Sequence, residues 1–156
     1  MLSLEVFGYS MWVIFFVMEH LADLQKQKFL IKCRRENKKR QVCNVGLWKY
    51  TRHPNYFAEW MVWNALIVCS IPSLSDYFSV EGNLIGAGLL ASLLYVSRIM
   101  YTTLVYYTGA VPSEYYSVQK RPDYKKHQET TPIFFPGKPK NTQNIKTIKN
   151  EHNERI

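Results

Sequence analysis

YFAEWMVWNALIVCSIPSL, residues 56–74, is an apolar run interrupted only by Glu59 and Asn64 before Pro72. It is about as long as a bilayer span needs, roughly 20 residues. Toward the N-terminus lies a shorter apolar block, Val6 to Met18. It lacks a basic stretch before it and a small-residue cleavage site after it, so it does not read as a signal peptide. It reads instead as a helix that crosses most of the bilayer and continues into the polar stretch beyond. Toward the C-terminus a third block runs from Leu84 to Val111 with Arg98 near its middle. At about 1.5 Å per residue this block exceeds a hydrocarbon core of about 30 Å, so it is expected to tilt or to end early. Pro72–Ser73–Leu74–Ser75–Asp76 carries a turn signal between the second and third blocks.

Charge placement supports the same topology. Residues 23–55 hold ten Lys or Arg and residues 112–156 hold nine, whereas the connection from Pro72 to Asn83 holds none. Two spans between the basic segments put both on one side, the cytoplasmic one by the positive-inside tendency. Mean hydropathy is slightly negative, but the apolar residues are segregated into blocks and the last twenty residues are almost wholly polar. The expected fold class is therefore an all-α integral membrane protein. It has about three transmembrane helices, cytoplasmic interfacial helices and a polar tail. Residues 1–137 form the membrane domain, and residues 138–156, rich in Lys, Asn and Thr, are expected to be disordered.

The net charge of +8 does not indicate a nucleic-acid partner, because the basic residues flank apolar blocks and no nucleic-acid-binding motif accompanies them. The basic run Lys26–Arg40 reads as a solvated helix face near anionic headgroups, so membrane lipids are the expected partner. Cys33, Cys43 and Cys69 have neither paired spacing nor a histidine cluster, so neither a disulfide framework nor a metal site is indicated.

Arg52–His53–Pro54–Asn55–Tyr56 carries the chemistry. Proline is favoured at the first helical position, so the string marks the entry into the second span. A helix N-terminus there, with Arg52 and His53 as side-chain donors, suits a phosphate or carboxylate; a positive-inside anchor explains the string equally well. Asn55 and Glu59 are four apart and share a face, with Tyr56 and Trp63 close to it. Glu59 lies one turn inside an apolar segment, where an ionisable group is costly and usually functional or paired, here with Arg98 as the candidate partner. Arg98 at mid-bilayer depth costs about 3 kcal/mol if unpaired, so it should face protein, a cavity or an acid. Glu19, Asp23 and Gln27 share one face of the helix extending from the first block. A carboxylate there suits ribose hydroxyls, although an exposed helix face has the same pattern.

Leu47–Trp48–Lys49–Tyr50–Thr51–Arg52–His53–Pro54–Asn55–Tyr56–Phe57–Ala58–Glu59, preceded by Ala22–Asp23–Leu24–Gln25–Lys26, resembles the C-terminal domain of the steroid 5α-reductase and sterol reductase superfamily. It looks closest to that superfamily's membrane branch of undefined substrate. Pro112–Ser113–Glu114, then Arg121–Pro122–Asp123–Tyr124, then Thr131–Pro132–Ile133–Phe134–Phe135–Pro136 are similar to the branch's C-terminal signature. The likeness covers about Glu19 to Pro136.

The resemblance implies an oxidoreductase that moves a hydride from NADPH to a C=C bond of a hydrophobic, lipid- or steroid-like enone. It implies that Asp23 holds the adenosine side of NADPH, and that Arg52, His53, Asn55 and Tyr56 belong to the cofactor-contacting segment. Glu59 matches a glutamate that polarises the substrate carbonyl. Tyr124, a second catalytic candidate, lies with Arg121 in the segment that closes over the cofactor. An endoplasmic-reticulum membrane is the expectation in a eukaryote. Members of the superfamily normally carry several more membrane helices before the point where this chain begins. The chain is therefore expected to be a truncated or split product, with a partner supplying the missing N-terminal helices. Two alternatives stand beside the reductase. Isoprenylcysteine carboxyl methyltransferases share an Arg-His-Pro-x-Tyr string and a later Glu before a Tyr-containing segment, and use the string to bind S-adenosylmethionine. The other is a non-catalytic fragment.

Overall fold

The computed structural model describes residues 3–38, 40–80 and 83–140. Among these the fold is all-helical, with α1 at Ser3–Arg35, α2 at Pro54–Val80, α3 at Asn83–Thr102, α4 at Ala110–Lys120 and α5 at Tyr124–Thr130. A 3₁₀ turn at Gly46–Lys49 precedes α2, and a π-helical segment, Thr103–Tyr107, follows α3. Three helical stretches, Ser3–Arg35, Pro54–Phe78 and Asn83–Lys120, are long and apolar enough to cross a membrane. The all-α, multi-pass expectation therefore stands, with α4 and α5 as the additional helices.

α2 is the central helix and packs against both α1 and α3. Small side chains let α1 and α2 approach: Ala22, Ala58 and Ala65 are fully buried. A Cβ added at Gly8 would meet Cys69 and the Ala65 carbonyl. Between apolar helices in lipid such close backbone contact supplies the attraction that expulsion from water supplies elsewhere. α2 and α3 are joined by polar groups: Trp60 Nε1 donates to the Ser97 carbonyl (3.2 Å) and Ser97 Oγ to Asn64 Oδ1 (2.8 Å). This accounts for Asn64 in the decisive run. Val6, Phe7, Val13 and Ile14 of α1 and Leu84, Leu94 and Tyr95 of α3 are exposed, as suits helix faces turned to lipid.

Two expectations are corrected. α2 does not end at the Pro72–Asp76 turn signal but continues through Pro72 to Val80. A helix in apolar surroundings tolerates a proline where local adjustment or neighbouring groups re-satisfy the carbonyl it frees. Arg98 faces neither an acid nor the interior. It is exposed, its guanidinium 5.9 Å from the Tyr101 ring centroid, and no ion pair joins it to Glu59 among the described residues. Of the tail expected to be disordered, residues 141–156 lie outside the described residues.

The C-terminal half of α1, the 3₁₀ turn, the start of α2, the π segment and α4–α5 gather at one end of the helices. The described parts of both basic segments, residues 23–38, 40–55 and 112–140, therefore sit at the same end. Its apolar floor is Leu104, Val105 and Phe134, packed by Tyr56, Phe57, Trp60 and Tyr101. The Phe134 ring meets Tyr101, Phe57 and Trp60 edge-on at centroid distances of 5.2, 5.9 and 5.9 Å, the geometry aromatic quadrupoles favour.

Candidate functional site

The site is built on a platform fixed to α1. The Leu47 N–H donates to Gln25 Oε1 (2.8 Å) and Trp48 Nε1 to the Ala22 carbonyl (2.9 Å). The Lys26 ammonium lies 4.4 Å above the Trp48 ring. Gly46 has a φ of +54°, and a side chain there would run into the Gln25 amide, so glycine is needed on both counts.

The next residues are held by a C-terminal strap. The Arg52 N–H donates to the Pro132 carbonyl (2.9 Å), Thr51 Oγ1 to the Phe134 carbonyl (2.9 Å), and the Gly137 N–H to the Tyr50 carbonyl (2.9 Å). Arg52 and His53 are thereby fixed immediately before Pro54 opens α2, where the missing proline N–H costs nothing.

Both side chains converge on Glu114 of α4. His53 Nε2 donates to Glu114 Oε1 (3.0 Å), and Gln128 Nε2 donates to Glu114 Oε2 (2.7 Å). Arg52 Nε stands 2.8 Å from the same Oε1; its N–H is not aligned as a hydrogen bond, so this is a contact of charges. Arg52 Nη1 also donates to the Gln128 carbonyl (2.7 Å). The Arg52 and Glu114 side chains are only 9% and 7% exposed, so the guanidinium charge is compensated inside the protein. Burial holds His53 below the ordinary histidine range, against the opposing pull of Glu114. A neutral ring that gives its Nε2 proton to Glu114 presents Nδ1 as an acceptor. Its plane stacks on Tyr56 at 5.4 Å and 2°.

Tyr124 and His127 close the cluster from α5. Burial and the Glu114 carboxylate push the Tyr124 phenol up, so it stays a hydrogen-bond donor. Burial, then Arg52, holds His127 down, and its Nδ1 lies 3.3 Å from Thr131 Oγ1.

The other sequence-predicted residues form a second group. Glu59, Tyr56 and Asp23 lie within Coulomb range of one another, with Glu19 beside them, on the α1–α2 side. Asp23 is exposed; Tyr56 and Glu59 are half-buried. Among the described residues no ion pair or hydrogen bond engages Glu59. Asn55 stands in the chain between His53 and Tyr56, and among the described residues its buried Oδ1 has no hydrogen-bond partner. Tyr124 thus stands with Glu114 and Arg52 rather than with Glu59, and Arg121 extends from Tyr124 toward Lys26 and Cys43. Glu114, Gln128 and His127 are not among the sequence-derived candidates. Glu114 stands within the Pro112–Ser113–Glu114 motif, but its partner His53 is 61 residues away. Among the described residues no His/Cys/Asp/Glu group could hold a metal ion.

A family model described as "Protein of unknown function (DUF1295)" matches residues 1–131. No curated protein and no solved structure matches the chain.

Proposed function

The chain belongs to the DUF1295 family, and from that premise we propose that it is a membrane-embedded, NADPH-dependent reductase of a C=C bond in a hydrophobic enone. The observation that carries this reading is the buried Asn55 Oδ1, unpartnered among the described residues and in the chain between His53 of one group and Tyr56 of the other. A buried acceptor without a partner costs about 1–3 kcal/mol, a cost that a ligand N–H removes. The carboxamide of a nicotinamide or the amino group of an adenine supplies such a donor. The exposed Asp23 carboxylate suits ribose hydroxyls, so the residues present fit a dinucleotide.

NADPH supplies the hydride that such a reduction delivers to the β carbon. Glu59, in its acid form, donates a hydrogen bond to the carbonyl oxygen and steadies the negative charge that develops there. The proton that completes the saturated product enters by way of the same oxygen. Tyr124 and Glu114 act as positioning residues, holding Arg52 and His53 so that Asn55 and Tyr56 meet the ligand. The lipid-facing helices admit an apolar substrate from the bilayer. In this reading the basic end faces the cytoplasm, from an endoplasmic-reticulum membrane in a eukaryote.

One observation favours a second reading. Glu19, Asp23 and Glu59 gather three carboxyl groups beside Tyr56, which in their ionised form suit the sulfonium of S-adenosylmethionine and hence methyl transfer. Titration of the detergent-purified chain and of Asn55→Ala with NADPH, NADH and S-adenosylmethionine separates the two. Saturable NADPH binding that the substitution weakens, without a response to S-adenosylmethionine, supports the reductase. Preferential binding of S-adenosylmethionine overturns it, and silence from all three in a folded sample marks a non-catalytic chain.

A further inference from the structure

Arg52 is neutralised by Glu114 (2.8 Å), so an anionic ligand must find its countercharge elsewhere, and the structure holds a place for it. A cavity of about 410 Å³ opens where the end of α1 meets the end of α4, lined by Arg34, Asn37, Arg40, Gln41, Lys120 and Arg121. Among the described residues no acidic side chain lines it. Lys38, also on its wall, is paired with Glu36 at 2.8 Å, whereas Arg34, Arg40, Lys120 and Arg121 carry no ion pair among the described residues.

The ordinary explanation for cations at a helix end is the macrodipole. A C-terminus presents roughly half a negative charge, and α1 and α4 both end at this cavity, so together they account for about one of the four positive charges. About three remain. The backbone adds an independent sign. Asn37 (φ 51°) is the left-handed C-cap of α1, with its N–H on the Arg34 carbonyl and the Lys38 N–H on the Cys33 carbonyl, whereas Arg40 (φ 64°), also on the wall, is left-handed beyond that cap. Asparagine tolerates this conformation, but for arginine it costs on the order of 1 kcal/mol, and such strain collects at ligand clamps. The Asn37 and Gln41 amides add neutral donors beside the four charges.

We propose that this cavity is a binding site for a phosphate group carrying two negative charges. The inference needs only the charge and shape of the cavity and does not rest on the reductase reading. Two sources present that chemistry here, a soluble phosphate ester and the headgroup of a phosphomonoester lipid in the adjoining membrane surface.

The test is calorimetric titration of inorganic pyrophosphate into the full chain in phosphatidylcholine nanodiscs at physiological salt, where the Debye length is about 8 Å and diffuse surface attraction is screened. Saturable binding is expected, weakened at least tenfold in Arg34→Gln/Arg40→Gln. Lys28→Gln/Lys32→Gln, exposed on α1 outside the cavity, should stay within twofold of the parent chain. Arg121→Gln repeats the test should the double variant not fold. Absence of saturable binding, or equal losses in cavity and control variants, overturns the proposal. Nanodiscs containing phosphatidic acid then identify the source. Competition with pyrophosphate in the parent chain assigns the site to the lipid headgroup, and undiminished binding assigns it to a soluble phosphate.

Discussion

Replacing Glu114 by Gln keeps the shape of the side chain and removes the charge that compensates Arg52. At 2.8 Å and an effective dielectric of 20, the gross attraction is about 6 kcal/mol. Desolvation of both ions offsets much of it, yet the single substitution does not recover that offset, because it leaves the guanidinium buried and alone. Breaking such a pair from one side costs about 3–5 kcal/mol. The substitution also sets an amide N–H₂ against either the His53 Nε2–H or the Gln128 amide, both of which now donate to the carboxylate. The melting temperature in detergent should fall by on the order of 10 °C. Arg52→Met should cost a comparable amount by orphaning the carboxylate. The double variant should be closer to the parent than the sum of the two, since a buried pair replaced as a unit is often neutral. The assay is a double-mutant cycle read by thermal unfolding of the three variants and the parent. If Glu114→Gln shifts the midpoint by less than about 3 °C and the two losses simply add, the argument that Glu114 holds the cluster together is wrong.

Burial holds His53 and His127 below the ordinary value of 6.5, so the unfolded chain takes up protons first as the pH falls. Stability from these groups is full above about pH 6.5 and is lost as pH drops toward the folded values; melting midpoints followed from about pH 8 to pH 5 should decline, with a shallower decline in His127→Gln. A profile equally steep in both proteins contradicts the assignment. Gly109→Ala would drive a Cβ into the Leu104 carbonyl and should destabilise by about 1–3 kcal/mol, whereas Gly88→Ala, with open space around it, should be neutral or stabilise by up to about 1 kcal/mol. Thermal melts of the two alanine variants, run side by side, distinguish a local backbone clash from a general intolerance of substitution. Asn55→Leu removes the orphaned acceptor, so the ligand-free chain should gain about 1 kcal/mol while its thermal shift with NADPH disappears; a preserved shift would separate Asn55 from the ligand.

The three spans were legible because hydrophobic block length is a local property, and the start of α2 because Pro54 announces it. The end of α2 was not. The penalty that makes Pro72 a stop signal in water is relieved in an apolar helix, so the same residue changes meaning with its solvent. The π segment Thr103–Tyr107 has no sequence signature either. An extra residue in the turn rotates everything after it by about 100°, which places α4 and Glu114 over the apolar floor. That rotation is set by tertiary packing of Leu104 and Val105 beneath Phe134. Of the candidate residues, spacing on single helices set Asn55 beside Glu59 and Glu19 beside Asp23, whereas a role for Asp23 came from the resemblance and not from its spacing. Glu114 could not be assigned its role, because its meaning lies in a contact with His53 that no periodicity carries. Arg52 shows the converse. Its charge was legible, but its neutralisation was not.

The strap across Tyr50, Thr51 and Arg52 has a consequence in time as well as in space. Its bonding residues, Pro132 to Gly137, leave the ribosome after all three spans. At about 5–20 residues per second, the roughly eighty residues between Arg52 and Pro132 take on the order of ten seconds to make. For most of that interval, until Glu114 and then Gln128 and Pro132 emerge, α2 can already occupy the bilayer while the Arg52 guanidinium and amide await their protein partners. Membrane insertion and completion of the polar cluster are therefore separate events during synthesis. A chain stalled in between has a finished membrane anchor and an unfinished, water-seeking end.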